Sequence, residues 1–242
     1  MIVNLISGPR NISTALMYSF AQRSDTRVLD EPFYAYYLHR SGADHPGRKE
    51  IVQSMPVEIT DIVAEVAQHA MQHEVVFVKN MAHHLICDDL SFMDDWKNIF
   101  LIRDPWELII SFAKVIPYPV MNDIGLKRSQ ELFEQLGNAS IVIDSNEVLK
   151  SPPVVLGEVC RRLGIEMETG MLSWQAGARP EDGIWAKYWY HKVHQSTGFG
   201  PPKTSREELP EHLKALYEEA KVHYDFLSVN SIKYATTIQS KK

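Results

Sequence analysis

The first residues that could do chemistry form the run Ser7-Gly8-Pro9-Arg10-Asn11-Ile12-Ser13-Thr14, set between an apolar stretch and an amphipathic one. A loop joining a strand to a helix presents unpaired N–H groups and a partial positive charge at the helix N-terminus, and such ends bind phosphate-like anions. Arg10 adds a full charge and a fork of donors suited to anionic oxygens. Read alone, the loop is equally compatible with a plain strand–helix turn carrying a surface arginine. It is not the loop of an ATPase: G-x-x-x-x-G-K-[ST] requires Gly at 13 and Lys at 14, where Ser and Thr stand. No acidic residue after an apolar strand is marked out as a magnesium ligand. The loop therefore reads as a site for a phosphate-like group handled without magnesium machinery.

Three other clusters carry suitable side chains. In IFLIRDPWELIISF, Arg103 ends an apolar run and Ser111 lies two turns along the helix that follows, so one anion could meet both the guanidinium and the hydroxyl. The alternative is that Arg103 pairs with Asp104 or Glu107 and Ser111 only fills space. In VVFVKNMAHHL, Lys79 ends a run and is followed by His83 and His84; histidine is the default general base near neutral pH. Asp30-Glu31-Pro32-Phe33 sets a carboxylate in an apolar, aromatic context, where it can have a raised pKa and act as a base; it is equally compatible with a loop carboxylate making local backbone bonds. His69 and His73 are spaced i, i+4 like helical metal ligands, but no third ligand accompanies them, so no metal site is expected. His191 and His194 are similarly weak.

The elements that must position these residues follow from periodicity. Ile2 to Ile6 reads as a buried strand ending in Ser-Gly-Pro, followed by a helix to about Arg23 that Ser13 or Thr14 can cap. Thr26–Leu29, Val75–Val78, Ile99–Ile102 and Ile141–Ile143 read as further short strands. Ile59, Ile62, Val63, Val66, Ala67 and Ala70 share one helical face. Asp104-Pro105 starts another helix as cap and first residue. Leu156, Val159, Cys160 and Leu163 line a helix that Gly164 stops, and Leu209, Leu213, Leu216, Tyr217 and Ala220 line a late one. Tyr34 to Met55 is irregular and rich in Gly, Pro and His, a partly ordered excursion. Short apolar strands alternating with helices predict an α/β fold, three layers α/β/α around a mostly parallel sheet. In such sheets ligands bind beyond the carboxyl ends of the strands, where Arg10, Glu31, Lys79 and Arg103 all fall.

The chain has 242 residues and a formal net charge of -6, so its surface as a whole is not built to attract nucleic acid or anionic lipid, and an anion site must be local. No stretch approaches the ~20 apolar residues of a membrane span, and the N-terminus lacks the form of a signal peptide. Cys87 and Cys160 sit in apolar surroundings outside any C-x-x-C pair and read as free thiols, which fits a reducing, cytoplasmic setting. Tyr34, Tyr36, Tyr37, Trp185, Tyr188, Trp189 and Tyr190 are candidates for an aromatic pocket, or for core.

Taken in order, these pieces resemble the sulfotransferase family with a P-loop NTPase-like fold, over roughly residues 2–170. SGPRNIST resembles the bacterial form of the family's 5′-phosphosulfate loop. IRDPWELIISF resembles its 3′-phosphate motif, an Arg-Asp-Pro with a Ser eight residues after the Arg, and IVIDSNEVLKSPPVVLGEVCRRLGIE resembles the strand, loop and Leu-Gly helix that follow. The resemblance implies 3′-phosphoadenylyl sulfate (PAPS) as donor, adenosine 3′,5′-bisphosphate (PAP) as product, a small-molecule acceptor and no metal. It places Arg10, Asn11, Ile12, Ser13 and Thr14 on the 5′-phosphosulfate, and Arg103 and Ser111 on the 3′-phosphate. Glu31, Lys79, His83 and His84 fall where members carry catalytic residues. Ile12 stands where a glycine is usual; a β-branched residue restricts positive φ and crowds close backbone approach, which makes a catalytically weak or inactive nucleotide-binding module the alternative; a magnesium-dependent small-molecule kinase is a third reading, disfavoured by the loop mismatch. The whole of 1–242 is read as one such domain, with 34–56 a candidate lid and 175–242 a C-terminal helical and loop extension.

Overall fold

In a computed structural model of the chain, residues 1–137, 139–202 and 207–234 are described. In order they form β1 (Ile2–Ser7), α1 (Ser13–Phe20), β2 (Thr26–Asp30), α2 (Tyr34–Ser41), α3 (Arg48–Ser54), α4 (Ile59–Gln72), β3 (Val75–Met81), β4 (Lys97–Ile102), α5 (Pro105–Ala113), α6 (Met121–Ile124), α7 (Leu126–Leu136), β5 (Ile141–Asp144), α8 (Ser145–Lys150), α9 (Pro152–Leu163), α10 (Ala186–Trp189), α11 (His191–His194), α12 (Lys214–Ser228) and β6 (Ser231–Ile232). The strands make one sheet in the order β2-β3-β1-β4-β5-β6. All its pairings are parallel.

Alternate residues of the strands feed two cores, as a sheet covered on both faces requires. Val3, Leu5, Phe77, Ile99 and Leu101 face α1 and α9, meeting Leu16, Phe20, Val155 and Val159. Ile6, Val76, Val78, Phe100 and Ile102 face the other way, meeting Ile62 and Val66 of α4, Leu132 and Phe133 of α7 and Leu227 of α12. The three-layer α/β/α architecture is therefore as expected. Because β1 lies between β3 and β4, the chain reverses direction across the sheet there, and a crevice opens beyond its carboxyl end.

Several local expectations are corrected. Residues 34–54 are not irregular: α2 and α3 fill most of the stretch, and Tyr34, Ala35, Tyr37, Leu38 and Ile51 pack with Trp185 and Tyr190. The two helices have 8 and 7 residues, about two turns each, so the helical period scarcely repeats within either. Gly42 closes α2 at φ 70°, the left-handed cap that glycine adopts without strain. The strand carrying Lys79 runs on to Met81, so Lys79 lies inside β3 and not at its end. The first helix stops at Phe20. The late segment closes with β6, which adds a parallel edge strand to β5; residues 203–206 and 235–242 of the expected extension lie outside the described residues. No helix among the described residues is long and apolar enough to cross a membrane.

Gly8 holds the loop after β1 against the junction of α6 and α7. A Cβ built there would lie 2.4 Å from the Ile124 carbonyl oxygen, a clash with backbone that only a main-chain shift relieves. Gly8→Ala should therefore destabilise the fold by about 1–3 kcal/mol. Gly157→Ala, inside α9 with nothing near its Cβ, should stabilise it by up to ~1 kcal/mol. Urea midpoints at unchanged m-value check both signs; equal shifts for the two would contradict this packing.

Candidate active site

The crevice is a cleft of about 740 Å³, and it brings together Arg10, Asn11, Ile12, Ser13, Thr14, Glu31, Lys79, His83, His84, Arg103 and Ser111. One wall is the loop after β1. The helix cap is Ile12, with no side-chain cap bond, and Ser13 is the first helical residue. Neither Ser13 nor Thr14 acts as the cap, so the first N–H groups of α1 are left for a ligand. Ile12 has an ordinary φ of -91°, and its side chain packs on the core below α1. Arg10 takes the left-handed conformation instead, φ 56°. The restriction expected at Ile12 is thereby avoided, because the loop places its positive φ two residues earlier.

Two guanidiniums flank this wall. Arg10 Nε donates to Ser111 Oγ at 3.3 Å, and its pKa is lowered by burial and by the neighbouring Arg103. Arg103 Nη1 donates to the Arg10 carbonyl at 2.5 Å, while Nη2 pairs with Glu107 at 3.1 Å. Arg103 thus meets both expectations, the pocket position and the pairing with Glu107. Ser111 is joined to Arg10 rather than to Arg103. Asp104, after β4, caps α5 through the Trp106 N–H at 2.8 Å, and Asp144, ending β5, caps α8 through Asn146. Among the described residues no group of His, Cys, Asp and Glu could hold a metal ion.

The opposite wall is built on Lys79, which is 1% exposed. Its register partner on β2 is Asp30. Its ammonium donates to Asp30 Oδ1 at 2.9 Å, to Glu31 Oε1, and to the Tyr190 hydroxyl at 2.7 Å, which uses all three of its protons. Tyr190 in turn donates to both Asp30 oxygens at 2.8 Å, and Asp30 Oδ2 also accepts from the Gly183 N–H at 3.0 Å. Glu31 holds φ 48°, a conformation uncommon outside glycine that clusters at functional positions. Burial pushes the Glu31 pKa up, and Asp30 adds to this, against the opposing pull of Lys79. Burial would lower Lys79, but the two carboxylates outweigh it and its pKa is raised.

The histidines are held neutral. His84 is stacked between Tyr34 at 4.4 Å and Tyr37 at 4.8 Å. Its Nδ1 lies 3.6 Å from Glu31 Oε2. Burial holds His84 well below its usual pKa and lowers that of His83 to about 3. Of the candidate aromatics, Tyr34, Tyr37, Trp189 and Tyr190 line the cleft; Trp185 is core, Tyr36 faces a separate groove near Cys87, and Tyr188 is exposed. The sequence marks Tyr190 only as a candidate for an aromatic pocket and Asp30 only as the neighbour of Glu31, neither as a partner of Lys79. Asp30 shares the strand-end signal of Glu31, whereas Tyr190 carries no local signal of that partnership.

A family model described as a sulfotransferase domain matches residues 1–224. Two proteins of Arabidopsis thaliana, branched-chain-amino-acid aminotransferase-like proteins 1 and 2, are 35% and 34% identical over 99% and 93% of the chain. The chain spans less than half of their length, 43% and 39%. Among solved structures, the sulfotransferase domain of the Synechococcus PCC 7002 olefin synthase superposes with a TM-score of 0.57 at 17% identity, covering 90% of this chain and 94% of that one. A sulfotransferase from Alicyclobacillus acidocaldarius gives 0.54 at 13% identity, covering 96% and 97%. At these identities the structural likeness speaks for the fold.

The buried imidazoles set an acid limit on stability. With its pKa lowered to about 3, folded His83 excludes a proton that the unfolded chain takes up below pH ~6.5. Its contribution is fully present above that pH and is lost as the pH falls toward 3. His83→Gln should flatten the decline in urea midpoint between pH 7 and 5 relative to the parent. An unchanged pH dependence would show that His83 is not held neutral.

Proposed function

The chain belongs to the sulfotransferase domain family, and on that premise we propose that it transfers a sulfuryl group from PAPS to a hydroxyl or amine of a small molecule. The observation that carries this reading is the division of the cleft. An uncapped helix N-terminus between two guanidiniums forms one wall, and a carboxylate with one unbonded oxygen forms the other. The N–H groups at the start of α1 and Arg10 meet the 5′-phosphosulfate, and Arg103 with Ser111 meets the 3′-phosphate. Donor charge is answered by these cations and dipoles, so the reading calls for no metal.

Glu31 is the base of this reading. Burial raises its pKa above the usual carboxylate range, which makes it a stronger proton acceptor, whereas His83, lowered to about 3, is a weak base. The acceptor proton passes to Glu31, the acceptor atom forms a bond to sulfur, and the bond from sulfur to the 5′-phosphate oxygen breaks. The electron pair stays on that oxygen, giving PAP. Arg10 and the helix N–H groups take up the charge that grows there. Lys79 orients Glu31 and Tyr190 through its three bonds. Two buried free thiols, Cys87 and Cys160, suit a cytoplasmic setting.

Two measurements test the reading. PAP at 100 Kd should stabilise the protein by ~2.7 kcal/mol, with no stabilisation by ATP and magnesium; the reverse pattern would overturn it. Glu31→Gln should lower turnover of a sulfated acceptor by ~10²–10⁴ while PAP affinity stays within a few-fold. Retained turnover would remove Glu31 from the role.

A further inference from the structure

We propose that the acceptor carries a protonated amine, seated on Glu31 and His84, and that its nitrogen is the atom sulfated. This rests on the transfer reading above and narrows its acceptor class. Behind the cleft wall, Asp30 and Glu31 face a single ammonium, Lys79, and Tyr190 is neutral because burial and the two carboxylates raise its pKa. The cluster is one cation short, and a buried carboxylate without a compensating charge is costly. The uncompensated group is Glu31: its Oε1 is held by Lys79, while Oε2 accepts no hydrogen bond among the described residues.

The second observation is independent of charge. His84 is 2% exposed, lines the cleft, and its Nδ1 has no hydrogen-bond partner. That atom lies 3.6 Å from Glu31 Oε2, so two unsatisfied polar atoms stand side by side. A hydroxyl can donate to Glu31 Oε2 and accept from a protonated His84 Nδ1, but it leaves the charge of Glu31 uncompensated. An ammonium has three protons and can donate to both while neutralising Glu31.

The mouth of this end has the same sign. Asp44 and Asp123 line it, and both carboxylates act on His45, whose pKa burial nevertheless keeps low. With His45, His83 and His84 neutral, the imidazoles add no positive charge to offset them. The donor brings several negative charges to the opposite wall, so an anionic acceptor would be repelled from both sides. In the reaction the ammonium gives one proton to Glu31 and the freed nitrogen pair bonds to sulfur. The sulfur–oxygen bond to the 5′-phosphate breaks with its pair retained by PAP. The nitrogen then sheds a second proton to solvent, leaving a sulfamate.

Binding to the PAP-loaded protein tests this with size-matched probes: benzylamine, benzyl alcohol and benzoate, and butylamine, butanol and butyrate. Calorimetry should give each amine an affinity at least about tenfold above its neutral partner, a difference of about 1.4 kcal/mol. The Asp44→Asn/Asp123→Asn double variant should shrink that margin without altering PAP affinity. With PAPS supplied, the sulfated amine should carry its sulfur on nitrogen by mass fragmentation. Alcohols or acids that bind as tightly as the amines, or amines that do not bind while PAP does, would overturn the proposal and leave the transfer reading standing. Failure of PAP itself to bind would overturn the transfer reading and this proposal with it.

Discussion

A lysine ammonium buried in the middle of a parallel sheet is the constraint from which the rest of the site follows. Lys79 is 1% exposed, and an ammonium removed from water demands partners for its charge and for each of its protons. Sheet register supplies the first, because Asp30 stands opposite Lys79 on β2. The second, Glu31, reaches the same nitrogen only by turning the chain into a left-handed conformation directly after the strand. The third, Tyr190, arrives from 111 residues away, so the C-terminal segment must fold back over the cleft. Breaking such a buried set by removing one partner costs about 3–5 kcal/mol, enough to pin three remote segments together.

Once Lys79 is satisfied, the electrostatic character of the cleft is set. Its protons are spent on the wall of carboxylates, and the loop wall opposite carries Arg10 and Arg103, the latter paired with Glu107. One side therefore presents cations and a helix N-terminus, and the other presents carboxylates with neutral imidazoles. Two reactants of opposite charge can approach each other across such a cleft without either meeting its own sign. The fold brings this about economically: the carboxyl ends of β1, β2, β3 and β4 are neighbours in the sheet, and each delivers one part.

Much of this arrangement is legible in the sequence. Residues at strand ends have an obvious address in a parallel sheet, which is why Arg10, Glu31 and Arg103 could be placed in one crevice from their spacing alone. Less legible are features that depend on tertiary context. The left-handed conformation falls on Arg10, a residue whose type gives no hint of it, and Ile12 escapes the restriction expected of it by pointing into the core. The helices over 34–54 are hard to read because each spans only about two turns, 8 and 7 residues, too few for the helical period to repeat. Tyr190 was concealed because its role comes from contacts far away along the chain, and Ser13 lost its capping role because the turn at Ile12 leaves the helix end open.

On the proposed reading, the open end of α1, held between Arg10 and Arg103, seats a nucleotide's phosphates. A crystal structure with adenosine 3′,5′-bisphosphate tests this most directly. The 5′-phosphate is expected on the N–H groups at the start of α1 and on Arg10, with the 3′-phosphate against Arg103 and Ser111. A nucleotide bound outside this cleft, or with its phosphates directed at Glu31 and Lys79, would contradict it.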